Sequence, residues 1–214
     1  MYHDLKNPVI GVYGLAKRLV KNYGETLDEK GQACCSHLME AAQQIATLSE
    51  MIIMFISSKE APMNIEELDL KAALRCIREE FSERLRLRHI KWSEPEDPPV
   101  IRADEVSVGR VFRNLVDNAL KYGGSELKEI RVGFRETERF HILSVSDDGV
   151  GIRTENPDRV FGPFRRAGVR RETEGLGLGL AIVKEIADRH HGKVWIEPGP
   201  LEGASVCVSF SKEI

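Results

Sequence analysis

The chain has 214 residues, of which 42% are hydrophobic and 30% are charged, so it can form one large or two modest domains with real cores. Its formal net charge of −3 argues against a general affinity for nucleic acid or anionic lipid, because such affinity normally requires a basic excess. No apolar run has the length of a membrane span or the form of a signal peptide. We therefore expect a cytoplasmic chain that contacts neither nucleic acid nor membrane.

The four cysteines form no C-x-x-C pair and lie at no zinc-finger spacing from a histidine, which favours reduced structural thiols: Cys34, Cys35, Cys76 and Cys207. Residues that look functional already begin at His3, almost at the start of the chain. From this we expect the chain to be a fragment of a longer protein, whose full-length form could be anchored in a membrane.

Two amphipathic helices are predicted at the start of the chain. The first ends near Gly24, and its apolar stripe consists of Leu5, Val9, Val12, Ala16 and Leu19. The second follows Thr26 and Glu29, which are spaced as a capping box, and its apolar face runs from Cys35 to Phe55. Two such helices cannot bury their stripes well alone, so we expect two copies to pair as a four-helix bundle and form a homodimer.

A second domain is predicted after the linker-like segment 57–63, which contains Ser-Ser, Lys-Glu and Pro62. Helical patterns cover Asp69–Leu87, Asp104–Tyr122 and Leu178–Arg189. Strand patterns cover Ile90–Trp92, Ile130–Phe134, Phe140–Ser146, Lys193–Ile196 and Ser205–Phe210. The predicted fold class is α+β, with a helical hairpin over 1–56, a linker over 57–63 and an α/β sandwich over 64–214.

The first candidate site lies on the first helix. His3 and Asn7 fall on nearly one line of its surface, roughly opposite the apolar stripe, so His3 is predicted to face solvent. An exposed neutral imidazole is a good nucleophile near pH 7, and the adjacent Asp4 could orient the ring and accept its proton. Pro8 removes one helical hydrogen bond and should bend the helix here. A lone surface histidine near a chain end is, however, usually only a surface histidine.

The second candidate site combines a polar line on a helix with a carboxylate at a strand end. Asn114, Asn118 and Lys121 recur at intervals of four and three, and amide oxygens with one cation suit a metal-bound triphosphate. Strict alternation places Asp147 on the apolar side of its strand, where a carboxylate needs a hydrogen-bond donor such as the exocyclic amine of adenine. Gly149 would let the backbone approach the base and ribose closely.

Alternating glycines precede the last predicted helix, in the run Gly175-Leu176-Gly177-Leu178-Gly179-Leu180. Such glycines expose backbone N–H groups and the positive end of the helix dipole to anionic oxygens. The spacing is neither a Rossmann fingerprint nor a P-loop, and a flexible connector is the ordinary alternative. The preceding segment 157–174 is predicted to be a mobile lid over the nucleotide, with Phe161 and Phe164 pinning its base.

Taken in order, these segments resemble the H, N, G1, F and G2 boxes of bacterial sensor histidine kinases, and the likeness extends from His3 to Phe210. The resemblance implies a kinase that binds ATP and Mg²⁺, phosphorylates itself on His3 and passes the phosphoryl group to an Asp of a response regulator receiver domain. It also implies that Asp4 is the acid/base neighbour and that Asn7 supports dephosphorylation of the regulator. Asn118 and Asn114 are the implied metal ligands.

The nucleotide-binding residues implied by the resemblance are Asn114, Asn118, Lys121, Tyr122, Asp147, Gly149, Gly151, Ile152, Gly175, Gly177, Gly179 and Leu180. Two departures from the family pattern stand out. Gly162 occupies a position in the F box that is commonly acidic, and the helical sequence that normally precedes the phosphoacceptor is missing before His3.

Two other functions compete with the kinase. Gyrase-, MutL- and chaperone-type ATPases share the nucleotide fold but carry a water-activating Glu four residues before the metal-binding Asn, where this chain has Asn114. Without a general base at that position, hydrolysis should be slow and transfer to His3 favoured. The other rival is a helical dimerisation module that retains nucleotide binding as a relic, although the intact metal, phosphate and adenine positions argue against it.

Overall fold

The computed structural model describes residues 2–152, 156–165 and 177–214, and within these ranges it describes side chains from residue 8 onward apart from Ser58. The chain divides into two compact units, Met1–Ile56 and Ser57–Ile214. Gly175 and residues 166–174 of the predicted lid lie outside the described residues. None of the helices in the described part of the chain combines the length and apolar character needed to cross a bilayer.

The first unit is built from α1 (Tyr2–Tyr23) and α2 (Glu29–Glu60), which confirms the predicted hairpin. The predicted capping box is wrong, because the Thr26 hydroxyl donates to the carbonyl of Tyr23 at 2.8 Å. Asp28 instead accepts a 2.8 Å hydrogen bond from the N–H of Gly31, as an N-cap side chain does. α2 also continues through residues 57–60, the first part of the predicted linker.

The apolar faces of the hairpin are only partly covered within one chain. Ala16, Cys35 and Ala42 are buried. Larger side chains of the same stripes keep between 37% and 48% of their surface exposed, namely Val12, Leu19, Leu38, Ile45 and Ile52. The large residues therefore leave an apolar surface available for another molecule.

The second unit alternates helices with short strands. Its elements in chain order are β1 (Ile65–Asp69), α3 (Leu70–Leu87), β2 (Lys91–Ser93), β3 (Val100–Asp104), α4 (Glu105–Tyr122), β4 (Glu129–Glu136), β5 (Phe140–Asp147), a 3-10 helix (Pro157–Phe161), α5 (Gly179–Arg189), β6 (Val194–Ile196) and β7 (Ser205–Ser211). The three predicted helices and five predicted strands are all present within two residues of their expected limits. β1, β3 and the 3-10 helix were not predicted.

Five strands form a mixed sheet in the order β2-β4-β5-β7-β6, and β1 pairs with β3 in a separate antiparallel ribbon. Only the β2–β4 pair is parallel among the pairs of the five-stranded sheet. β5 lies at the centre, so its apolar side chains are flanked on both sides. Val145, for example, lies between Val132 and Val206.

Helices α3, α4 and α5 supply the other layer of this unit, and each contacts strands of the sheet. Asp69 caps α3 by accepting hydrogen bonds from the N–H groups of Lys71 and Ala72, and Asp104 caps α4 through the N–H of Ser107 at 2.8 Å. The buried stripe of α3 comprises Leu70, Leu74, Ile77, Phe81 and Leu85. The predicted core positions of α4 are buried as expected: Val111, Leu115 and Ala119.

His190 joins three elements of the second unit from a fully buried position at the end of α5. Its Nδ1–H donates to the carbonyl of Ile186 at 2.8 Å, and its Nε2 accepts from the N–H of Asp104 at 3.3 Å. The ring also packs edge-on against Phe210 at 5.0 Å between centroids. Burial lowers the pKa of His190, because the charged imidazolium would lose its water shell and its acceptor nitrogen.

Lowering the pH below about 6.5 should therefore reduce the free energy of unfolding of the second unit, because unfolded His190 binds a proton more readily than the buried ring. In His190→Gln we expect a loss of about 1–3 kcal/mol at pH 7.5 and a shallower decline between pH 6.5 and 5. Burial also lowers the pKa of His141, so part of the slope should remain. Urea unfolding followed by tryptophan fluorescence reports this unit, since Trp92 and Trp195 both lie in it. An unchanged slope would contradict the assignment.

Candidate functional site

Helix α4 directs two side-chain amides toward the start of α5. The Nδ2 group of Asn114 donates to the carbonyl of Arg110 at 2.8 Å, which leaves its Oδ1 pointing the other way. A methyl group added at Gly179 would lie 2.9 Å from this oxygen and 3.6 Å from Oδ1 of Asn118. The first residue of α5 therefore has to be glycine for the two amide oxygens to keep their positions beside it.

The N-terminus of α5 has the properties of an anion-binding end of a helix. Leu178 is fully buried and anchors the helix, and its side chain cannot cap the first N–H groups. Gly177 has a φ of +68°, and a methyl group there would lie 2.9 Å from the backbone nitrogen of Arg165. No described side chain caps the first turn of α5, so its N–H groups and the helix dipole favour a negatively charged group, with half-buried Leu180 on the same turn.

Asp147 ends β5 as a carboxylate that is only 7% exposed. Its Oδ1 accepts hydrogen bonds from the N–H of Gly149 at 2.9 Å and of Ala204 at 3.3 Å. Burial raises the pKa of Asp147, and the two backbone donors only oppose this effect. A further donor reaching the carboxylate would stabilise its charged form. Sequence reasoning missed Ala204, because no local pattern shows that the β6–β7 loop returns to this strand end.

Two glycines hold the turn after Asp147 between the end of α4 and the β6–β7 loop. A methyl group on Gly149 would lie 2.5 Å from Cα of Gly123, whose carbonyl accepts a 3.1 Å hydrogen bond from the N–H of Val150. A methyl group on Gly203 would lie 2.5 Å from Oδ1 of Asp147. The close approach attributed to a bound base at Gly149 is thus also required by the protein itself.

Lys121 does not lie free beside the two amides in this structure. Its Nζ is 2.6 Å from Oδ2 of Asp117, and Arg84 donates to the other carboxylate oxygen at 2.8 Å. Tyr122 follows with 40% of its surface exposed, at the end of α4 where Gly149 packs. Sequence reasoning overlooked Asp117, although an acid four residues before a lysine on a helix is a recognisable signal.

The remaining predicted positions are placed as follows. Gly151 has a φ of +71°, a backbone conformation that favours glycine, and Ile152 beside it is half-buried. Phe161 is 3% exposed, whereas Phe164 is 61% exposed, so the prediction that both phenylalanines pin the segment is wrong for Phe164.

The predicted phosphoacceptor region lies on α1. The structure describes its helical backbone from Tyr2, with Pro8 inside the helix, but it describes no side chain before residue 8. The side-chain positions predicted for His3, Asp4 and Asn7 therefore lie outside the described residues.

A protein family model matches residues 103–214 and is described as "Histidine kinase-, DNA gyrase B-, and HSP90-like ATPase". The match begins just before α4 and ends at the last residue. It contains both amides, the lysine, Asp147 and the glycines that precede and open α5.

Individual proteins give similar matches over nearly the whole chain. The sensor histidine kinase YkoH of Bacillus subtilis is 30% identical over 99% of this chain and 46% of its own length. Full-length ShkA in complex with AMPPNP superposes with a TM-score of 0.71 at 24% identity, covering 99% of this chain and 44% of ShkA. Histidine kinase ThkA in complex with the response regulator TrrA gives a TM-score of 0.68 at 24% identity, covering 98% of this chain and 59% of ThkA.

These comparisons concern only part of each relative. The chain spans between 23% and 56% of the length of eight curated relatives that it matches. The likeness in structure, at 24% identity, establishes the shared fold of hairpin and sheet domain.

The packing of Gly203 against Asp147 predicts a strong effect of a single methyl group. Gly203→Ala should lower the free energy of unfolding of the second unit by about 1–3 kcal/mol, because backbone and carboxylate must separate to admit the methyl group. Denaturant titration followed by tryptophan fluorescence measures this change.

Gly109→Ala is the matched control. There the added methyl group meets only the flexible end of Arg113, and alanine is the better helix former by about 1 kcal/mol. Stability should be equal or higher in this variant. Equal stability of Gly203→Ala and the unchanged protein would refute the tight packing at Asp147.

Proposed function

Because the chain belongs to the family of histidine kinase-, DNA gyrase B- and HSP90-like ATPases, we propose that it is the dimerisation and ATP-binding core of a sensor histidine kinase. In this proposal the second unit binds ATP and its terminal phosphoryl group is transferred to His3. The kinase names of the relatives and the AMPPNP bound by ShkA support this choice within the family.

The observation that carries the proposal is that one helix, α4, borders both candidate binding regions, one for the phosphates and one for the base. Its middle places two amide oxygens beside the positive end of α5, and its C-terminal end contacts the glycine turn that follows Asp147. Asn114 and Gly123 are nine residues apart, which corresponds to about 13 Å along a helix. An extended nucleotide can therefore lie along α4 with its base at Asp147 and its phosphates at α5.

Asp147 is suited to recognise the base. The carboxylate is buried and both described hydrogen bonds to it come from backbone N–H groups on one oxygen. The exocyclic amine of adenine would donate to this carboxylate and favour its charged form, whereas the carbonyl oxygen of guanine at the same position would repel it. Tyr122, Gly151 and Ile152 would lie beside the base or ribose.

We assign the phosphates to the part of α4 that bears Asn114 and Asn118. We assign Asn118 and Asn114 as Mg²⁺ ligands, because their oxygens are hard donors that converge on Gly179, where only a missing side chain leaves room. When bound, Mg²⁺ would neutralise charge on the phosphates. The N–H groups at the start of α5, after Gly175 and Gly177, would bind phosphate oxygens, and Lys121 would supply a positive charge.

The transfer step requires no water. A neutral ring nitrogen of His3 attacks the γ-phosphorus of ATP, a P–N bond forms, the bond from the γ-phosphorus to the bridging oxygen breaks, and ADP leaves with that electron pair. Asp4 accepts the proton that the ring loses. At the position where the related ATPases carry a Glu, Asn114 has an amide that cannot act as a general base, and its nitrogen is already donating to Arg110. Hydrolysis should therefore be slow.

The hairpin would serve both as the dimer interface and as the docking site for the response regulator. Its partly exposed apolar stripes are suited to pair with those of a second copy in a four-helix bundle. The complex of ThkA with TrrA supports a response regulator as the protein that takes the phosphoryl group onto an Asp. Asn7, one helical turn after His3, would position a water molecule for the reverse dephosphorylation.

Incubation with ATP labelled in the γ-phosphate and Mg²⁺ tests the kinase against its rivals. We expect acid-labile, base-stable label on the protein, and we expect His3→Gln to lose it while keeping its affinity for ATP, because that residue is the acceptor. Release of free phosphate without protein labelling would instead indicate an ATPase. The absence of both labelled protein and free phosphate would indicate a nucleotide-binding interaction module.

Asn118→Ala tests the metal assignment separately. Loss of one of two amide oxygens should reduce labelling at least about a hundredfold, because metal and phosphates lose a ligand that positions them for transfer. Labelling should recover in part at high Mg²⁺ concentration. Full labelling in this variant at low Mg²⁺ concentration would rule out Asn118 as a metal ligand.

A further inference from the structure

The lysine assigned to the phosphates has a competing partner on its own helix. Nζ of Lys121 lies 2.6 Å from Oδ2 of Asp117, one turn back along α4. Oδ1 of the same carboxylate accepts a 2.8 Å hydrogen bond from Nη1 of Arg84 on α3. The guanidinium of Arg84 also lies 5.5 Å above the ring of Phe81. Asp117 is therefore held in place by a neighbouring helix while it binds the lysine.

Helix geometry places the Asp117 carboxylate beside the proposed phosphate site but not on the row of side chains that forms it. Asn114, Asn118 and Lys121 share one face of α4, whereas Asp117 is rotated about 100° from Asn118. The ammonium group has to leave Asp117, or share it, in order to follow phosphate oxygens above the amides. Asp117 itself is not among the residues assigned to the metal or the nucleotide.

We infer that Asp117, held by Arg84, is a positioning residue that competes with the triphosphate for Lys121 and thereby sets the affinity of the site for the phosphate part of its nucleotide. The inference rests on the proposed function, because it assigns the phosphates to the face that bears Lys121. Asp117 would thus influence ATP affinity without contacting the nucleotide, in addition to the residues that bind it directly.

The strength of the ion pair suits such a competition. The side chains of Lys121 and Asp117 are 40% and 30% exposed, and ion pairs of this kind are weak in water. A triphosphate carries several negative charges, so it can displace a single carboxylate. The pair lowers affinity without preventing binding, and it keeps the ammonium group of Lys121 in a defined place when no nucleotide is bound.

Replacing Asp117 by Asn tests the inference, because the amide keeps the shape but loses the charge. In the full chain with Mg²⁺, Asp117→Asn should bind ATP about twofold to fivefold more tightly, measured by calorimetry. Its affinity for adenosine, which has no phosphates, should not change. Asp97→Asn is the matched control, since it removes the same charge from an exposed pair with Lys71 in the loop before β3. ATP affinity should be unchanged in that control.

A double-mutant cycle separates competition for the lysine from a general effect of charge. In a Lys121→Ala background, Asp117→Asn should tighten ATP binding by less than about twofold, because the cation for which it competes is gone. An equal gain in both backgrounds, or weaker ATP binding in Asp117→Asn, would overturn the inference. Failure of the unchanged chain to bind ATP would instead overturn the proposed function, so the two failures are distinguishable.

Discussion

The site depends on the close approach of α5 to α4. Gly179 lies against the amide oxygens of Asn114 and Asn118, and a single methyl group there would meet both. This contact brings two neutral oxygen donors to the N–H groups at the start of a helix, which is an arrangement that attracts a cation and an anion together. The proposed phosphate site depends on this contact between α4 and α5, because neither helix would present such a site alone.

The other end of α4 is constrained in the same manner. Gly149 packs on Gly123, and Gly203 packs on the carboxylate of Asp147, so three chain segments meet where only glycines fit. The rigid length of α4 then fixes the distance between the carboxylate that we propose to bind the base and the amides that we propose to bind the metal and phosphates. The ion pair of Asp117 with Lys121 lies between these two ends, which places it well to modulate binding without taking part in it.

Much of this arrangement could be predicted from the sequence because its signals are local. The spacing of Asn114 and Asn118 on a helix, and the alternating glycines before α5, are local patterns that indicate a candidate site for metal and phosphates. The ribbon of β1 and β3 was missed because strand β1 buries only Leu68 and is otherwise mostly acidic, so it lacks the alternation of a core strand. Contacts between distant segments, such as the N–H of Ala204 on Asp147, leave no local pattern at all.

Paramagnetic relaxation tests the central claim that α4 carries a metal-bound nucleotide along its length. The chain would be labelled with ¹⁵N and saturated with a non-hydrolysable ATP analogue and Mg²⁺, and the side-chain amide resonances would be recorded as Mn²⁺ replaces Mg²⁺. The account predicts that the NH₂ signals of Asn114 and Asn118 broaden before those of the other asparagines. Sharp signals from both residues in the Mn²⁺ complex would contradict it.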